Sequence, residues 1–191
     1  MKLDAAIFDL DGTLVDTMPL HYEAYRRTFA EHGLALSEDA FYAHIGGIAS
    51  ETIPKFAAAC GAAQLPAQVA ELHARKKAHA AELIASADIP LLPAAQLLDV
   101  LAGRVPLALA SSGARAGVDA VLARMGWSAL FTAVITGDDT ARGKPAPDPF
   151  LLAADKLRVP PAACLVFEDT DDGMAAARAA GMRAVDVRGL R

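Results

Sequence analysis

The chain is poor in cysteine, aromatics, basic runs and long apolar runs, and each shortage removes a class of protein. Its cysteines, Cys60 and Cys164, are far apart and outside any CxxC or Cys/His spacing. A zinc site or a disulfide framework is therefore not expected, and both thiols read as small buried fillers. His32, His44, His73 and His79 show no metal spacing either and read as structural or exposed. The net charge is −5 and the longest basic stretch is Arg75-Lys76-Lys77, so the electrostatic footprint of a nucleic-acid binder is missing. No apolar run approaches the roughly 18 residues of a membrane span. Asp4, Asp9 and Asp11 stand where a secretory signal needs an uncharged segment, and a soluble cytoplasmic protein with no membrane partner is expected. Aromatics supply 6% of the residues and apolar residues 54%, with alanine very frequent, which favours a helix-rich globular chain. The length suits one sizeable domain, or one domain carrying a smaller insert.

Short apolar runs recur along this background. Ala5 to Leu10, Val105 to Ala110, Ala133 to Thr136, Cys164 to Phe167 and Ala184 to Val187 have the length and composition of buried parallel strands. Helical patterns lie between the later runs: Leu97, Leu98 and Leu101 before Gly103; Val118, Val121, Leu122 and Met125 before Gly126; Phe150, Leu151, Ala154 and Leu157; and an alanine-rich stretch over 172–180 before Gly181. The glycines fall where helices end, and Asp148-Pro149 reads as an N-cap followed by proline at the first helical position. Alternating strands and helices predict an α/β fold with a doubly wound parallel sheet. Residues 17–87 break the alternation. They hold no convincing strand, and Tyr22, Tyr25 and Phe29 begin a series of amphipathic helices. We expect a helical domain over 17–87, inserted into a core domain made of 1–16 and 88–191.

In a doubly wound sheet, ligands bind beyond the carboxyl ends of the strands. That rule gathers Asp9 and Asp11 after the first strand, Ser111 and Ser112 after the second, Gly137-Asp138-Asp139 after the third and Glu168-Asp169 after the fourth. Asp9 and Asp11, two apart, would share one strand face and repel. Carboxylates converging in a crevice need a cation, and hard oxygen ligands without a His or Cys cluster favour Mg²⁺. A calcium loop fails, because its sixth position, which requires glycine, holds Leu14 and its twelfth holds Leu20. A carboxylate that attacks an electrophile cannot also manage the leaving group's proton, so Asp9 is read as nucleophile and Asp11 as acid and base. With Mg²⁺ this suits phosphoryl transfer. Lys144, restrained by Pro145, offers a fixed cation for the phosphoryl oxygens, and Ser111 a hydroxyl.

Asp9-Leu-Asp11-Gly12-Thr13, Ser111 after an apolar strand, Lys144 in "KPAPDPF" and "FEDT" over 167–170 resemble the four motifs of the haloacid-dehalogenase superfamily, in order and across essentially the whole chain. The resemblance implies a Rossmann-like core with a helical cap after strand one and an aspartyl-phosphate on Asp9. It implies Mg²⁺ held by the Asp9 carboxylate, the Asp11 carbonyl and Asp169, with Glu168 bound directly or through water. The dehalogenase branch lacks the second aspartate, so Asp11 argues against it.

Within the superfamily the chain is similar to the β-phosphoglucomutase-like group and to bacterial fructose-1-phosphate and 6-phosphogluconate phosphatases, notably over "FLLAADKLRVPPAACLVFEDTDDGMAAARAAGMRAVDVR". That likeness also accounts for the short C-terminus, which leaves little room for a sixth strand after Val187. It makes Thr17, His21, Gly47, Lys76, Ser112 and Arg115 the expected substrate-side residues, with Asp16-Thr17 as one hinge of the cap. A related mutase would hold a distal phosphate with an arginine where "HIGGIASE" (44–51) has Ser50, and with a Ser-Lys-Asn run where this chain reads Gly113-Ala114-Arg115. Losing such contacts removes charge-assisted bonds of roughly 1.5–3 kcal/mol each, although Arg115 could compensate in part. A phosphatase of small sugar phosphates is expected, acting as a monomer. The alternatives are a β-phosphoglucomutase-type mutase and a catalytically silent phosphosugar-binding module.

Overall fold

The computed structural model describes residues 3–45, 49–62 and 68–190. These divide into two units, Met1–Thr17 with Ile89–Arg191, and Met18–Asp88.

The first unit is built on a five-stranded parallel sheet, whose members are β1 (Ala5–Phe8), β2 (Leu107–Ala110), β3 (Ala133–Ile135), β4 (Cys164–Glu168) and β5 (Arg183–Asp186), in the order β3-β2-β1-β4-β5. Ile7 of β1 pairs with Ala108 on one side and Val166 on the other. Such a strand is covered on both faces, which is why β1 and β2 are apolar without alternation and buried throughout. Alanine is frequent in these strands because helices must approach them closely. Ala5, Ala108 and Ala110 share a buried cluster with Phe150, Ala153 and Ala154. Phe8 and Phe167, neighbours on β1 and β4, stack with ring centroids 4.6 Å apart.

Helices α5 (Gln96–Leu101), α6 (Arg115–Met125), α7 (Asp148–Leu157) and α8 (Asp171–Ala179) complete this unit. Their ends follow local chemistry. Gly126 closes α6 in the left-handed conformation at φ 72°, whereas α7 closes on Arg158 at φ 56°, where the sequence offers no glycine. The N-cap of α7 is Pro147 and not Asp148 as expected. The Asp148 carboxylate is instead gripped by Arg142 at 3.0 and 2.9 Å. Near its boundary the unit holds its two connecting segments side by side: Asp16 N–H donates to the Pro90 carbonyl and Leu92 N–H to the Leu14 carbonyl, both at 2.9 Å.

The second unit is helical: α1 (Met18–Ala30), α2 (Glu38–His44), α3 (Ala49–Ala59) and α4 (Val69–Ser86). The scarce aromatics concentrate here. Tyr25, Phe29, Phe41 and Phe56 form its core with Ile53 and Leu72, and Tyr25 meets Phe56 edge-on at 4.9 Å. Among the described residues, no helix is long and apolar enough to cross a membrane.

Candidate active site

Because β1 is central, with β2 on one side and β4 on the other, its carboxyl end is where the winding of the sheet reverses and the crevice opens. The ladder continues one step past the strand, since Asp9 N–H donates to the Phe167 carbonyl at 3.0 Å. The chain then turns tightly. Leu14 and Val15 both donate to the Leu10 carbonyl, at 2.9 and 3.2 Å, and Gly12 donates to the Val15 carbonyl at 2.8 Å. Gly12 has φ 88°, and a Cβ there would lie 2.3 Å from Asp169 Oδ2, so this position admits only glycine.

Strand β1 ends at Phe8, so the geometry that would set Asp9 and Asp11 on one face stops short of them. The two carboxylates have separate partners. Asp9, 7% exposed, receives Lys144 Nζ on Oδ1 at 2.7 Å. Asp11 accepts from the Thr17 hydroxyl on Oδ1 and from Ser111 Oγ on Oδ2 at 3.2 Å. Ser111 Oγ in turn accepts Gly113 N–H at 2.9 Å. One carboxylate is thus held by a cation and the other by hydroxyls.

Lys144 is 5% exposed and also donates to Glu168 Oε1 at 2.6 Å. Burial works against its charge, yet Asp9 and Glu168 together hold the ammonium above the usual lysine range. Burial pushes the Asp9 carboxyl well up; Lys144 opposes this, while Glu168, Asp169 and Asp11 add to it. Four carboxylates therefore bear on a site containing one buried ammonium, and the balance is negative.

Glu168 and Asp169 have different surroundings. Glu168 is 1% exposed; its Oε1 takes Lys144 and its Oε2 accepts Thr170 N–H at 2.6 Å and Thr170 Oγ1 at 2.9 Å. A Cβ on Gly173 would fall 1.9 Å from Oε1. Both Glu168 oxygens thus accept from protein donors. Half-buried Asp169 accepts Thr13 Oγ1 at 3.0 Å. Among the described residues, no three His, Cys, Asp or Glu side chains form a metal cage. Such a cage is not what Mg²⁺ requires, since it uses one or two carboxylates and completes its shell with water, carbonyl or substrate oxygens.

Arg115 does not stand ready for a phosphate. Its guanidinium donates to the Val134 carbonyl at 2.9 Å and to the Asp139 carboxylate, which also accepts Thr136 N–H and Oγ1 at 2.7 Å. Its backbone N–H is taken by Asp138 at 2.8 Å, a carboxylate at a helix N-terminus. These bonds tie Arg115 to the loop after β3. Ser112 is exposed, and its carbonyl sits where a Cβ on Gly137 would approach to 2.6 Å. In the helical unit, Lys76 Nζ lies 3.2 Å from His21 Nδ1 and 4.9 Å from the centre of the Tyr25 ring. Gly47 lies outside the described residues.

Thr13, Thr170 and Gly173 were absent from the candidates drawn from the sequence. Thr13 carries a signal in hindsight, as a hydroxyl directly after Asp11-Gly12. Thr170 follows β4 by two residues and caps α8, accepting Gly173 N–H at 3.0 Å, so it reads as an ordinary N-cap.

Comparison with known proteins extends this geometry. The family model for haloacid dehalogenase-like hydrolases matches residues 3–181. Protein CbbY of Rhodobacter capsulatus is 41% identical, covering 97% of this chain and 85% of its own length. Fructose-1-phosphate phosphatase YqaB of Escherichia coli K12 is 38% identical, covering 95% of both chains. Among solved structures, a CbbY mutant from Rhodobacter sphaeroides in complex with xylulose-(1,5)bisphosphate superimposes with a TM-score of 0.83 at 31% identity, over 95% of this chain and 84% of that one.

Proposed function

The chain belongs to the haloacid dehalogenase-like hydrolase family, and from that premise we propose that it is a Mg²⁺-dependent phosphatase of small sugar phosphates, working through an aspartyl-phosphate on Asp9. The observation that carries this reading is the pairing of buried Asp9 with Lys144 while Asp11 is held apart by Ser111 and Thr17. A nucleophile and a proton carrier must be separate groups, and here they have separate supports.

The residues suit Mg²⁺. The negative balance around Asp9 calls for a cation, the donors are hard oxygens, and Asp169 is oriented by Thr13 with no Cβ at Gly12 to obstruct it. We assign the ligands as the carboxylates of Asp9 and Asp169 with the Asp11 carbonyl, and leave Glu168 to Lys144. When bound, the ion would neutralise charge and favour the ionised form of Asp9.

Asp9 would then attack phosphorus, with Lys144 facing the equatorial oxygens and the Ser111 hydroxyl close by. Asp11 would protonate the departing sugar oxygen, then take a proton from the water that opens the acyl-phosphate. Hydrolysis is favoured over mutase transfer because Ser50 stands at the arginine position and Arg115 is engaged at the loop after β3. Fructose 1-phosphate, the substrate named for the E. coli relative, and sugar bisphosphates of the kind bound by the CbbY mutant are the esters to examine first. We assign sugar recognition to the helical unit, with His21 and Lys76 as its polar pair, and take the enzyme as a cytoplasmic monomer.

The test is a panel of phosphorylated sugars assayed for free phosphate. Release from at least one hexose or pentose phosphate is expected, with no isomeric sugar phosphate accumulating. An isomeric sugar phosphate forming without free phosphate would favour the mutase.

A further inference from the structure

We propose that Thr170 is a positioning residue for phosphoryl transfer, setting Lys144 against Asp9 by way of Glu168; the inference rests on the phosphatase reading above. Unbroken side-chain bonds link them. Thr170 gives both its N–H and its hydroxyl to Glu168 Oε2, at 2.6 and 2.9 Å. Glu168 Oε1 receives Lys144 at 2.6 Å, and Lys144 reaches Asp9 at 2.7 Å. Glu168 and Lys144 are 1% and 5% exposed, so neither can exchange these partners for bulk water without moving out of the core.

The Glu168 carboxylate is fixed at both ends. One oxygen is pulled toward Lys144 and the other toward Thr170, while the missing side chain of Gly173 makes room for it. The Thr170 hydroxyl donates to Glu168 and accepts Gly173 N–H at 3.0 Å, which uses its proton and one lone pair consistently. Removing the hydroxyl takes away one of two donors to Oε2 and leaves the backbone N–H alone to orient that end of the carboxylate. The ammonium would then lose its fixed place beside the nucleophile, and misplacement of that order is costly in rate.

A purely structural alternative makes Thr170 the N-cap of α8 and nothing more. Thr170→Asp separates the two. Aspartate caps a helix as well as threonine, yet its carboxylate has no proton to donate and would repel Glu168. Thr170→Ser keeps cap and donor alike.

The measurement is kcat and KM for p-nitrophenyl phosphate, an ester that needs no sugar recognition, in Mg²⁺-saturated enzyme, with the thermal midpoint recorded for every variant. We expect Thr170→Asp to stay folded at the assay temperature and lose about tenfold or more in kcat with KM little changed, and Thr170→Ser to keep most of the wild-type rate. Lys144→Ala is run alongside. A Thr170→Asp enzyme at the wild-type rate beside a crippled Lys144→Ala enzyme would overturn the inference alone. A normal rate in Lys144→Ala would overturn the inference by removing the part given to Lys144, whereas no release of p-nitrophenol by the wild-type enzyme would overturn the phosphatase reading beneath it. If Thr170→Asp unfolds, Thr170→Val decides: it keeps the backbone donor, and an unchanged kcat in that folded variant counts against the proposal.

Discussion

Gly12 shows how closely the loop after β1 is tailored to its neighbours. An alanine there would strain the backbone at φ 88° and drive Cβ to 2.3 Å from Asp169 Oδ2. Strain of this kind costs about 1–2 kcal/mol, and disturbing the group beside a metal ligand weakens metal affinity about 10–100-fold. Gly12→Ala should therefore lower the thermal midpoint and weaken Mg²⁺ binding in a calorimetric titration; an unchanged Mg²⁺ affinity would remove Asp169 from the ligand set. Asp9 makes a second prediction at this scale. Its carboxyl is raised by burial and by Glu168, Asp169 and Asp11, against Lys144, and in the proposed reaction only the ionised form would attack. A bound cation favours that form, so the acid limb of kcat/KM should lie at higher pH in sub-saturating Mg²⁺ than in saturating Mg²⁺. Limbs that coincide at both metal levels would contradict this account. The meeting of Asp9 with Lys144 and of Asp11 with Ser111 was foreseeable because these residues sit in short motifs at the carboxyl edge of the sheet. The commitment of Glu168 was not, since its Lys144 partner is distant in sequence and adjacent acids look alike on paper. The diversion of Arg115 was equally hidden, depending on how the loop after β3 presents Asp139.

Among the elements, the sheet was readable and the helix ends were less so. All five strands overlap the short apolar runs, and the central ones are continuous because a parallel strand covered on both faces needs apolar residues throughout; the edge strand β5 begins on Arg183 and ends on Asp186, both exposed. Helix α7 departs from the glycine pattern by ending on Arg158 in the left-handed region. Arg158→Gly should stabilise the protein by up to about 1 kcal/mol, measurable by denaturant titration, and no gain would show that the Arg158 side chain contributes contacts of its own. In the helical unit, Glu31 at the end of α1 bonds to Arg75 of α4 at 2.9 and 2.6 Å and to His79 at 2.8 Å. Arg75 first, then His79, lower the Glu31 carboxyl from its ordinary 4.5 to about 2. A lowered folded pKa gives stability that is present above the unfolded value and fades as pH falls toward the folded one. The midpoint difference between wild type and Glu31→Gln should thus be present at neutral pH and shrink across the window from 4.5 to about 2; a constant difference would mean the pair contributes no charge interaction.

For the molecule as a whole, the proposal divides the labour between a core that would carry the reaction and a helical unit that would recognise the sugar. The interruption of the α/β alternation by an all-helical stretch is visible in the sequence, because Tyr22, Tyr25 and Phe29 follow helical spacing. Sugar identity is not visible, since it depends on which polar groups face the bound ester. Ser50→Arg should raise affinity for sugar bisphosphates by supplying one charge-assisted contact, roughly 1.5–3 kcal/mol at most; unchanged binding would refute the role given to that position. Chelation of Mg²⁺ should abolish turnover and re-addition should restore it.

The central claim, that Asp9 accepts the phosphoryl group, is tested most directly by acid-quenching the enzyme during turnover of a sugar phosphate and mapping the adduct by mass spectrometry. We predict a phosphoryl group on the peptide containing Asp9, absent from Asp9→Asn. An adduct on any other residue, or turnover by Asp9→Asn at the wild-type rate, would contradict the account.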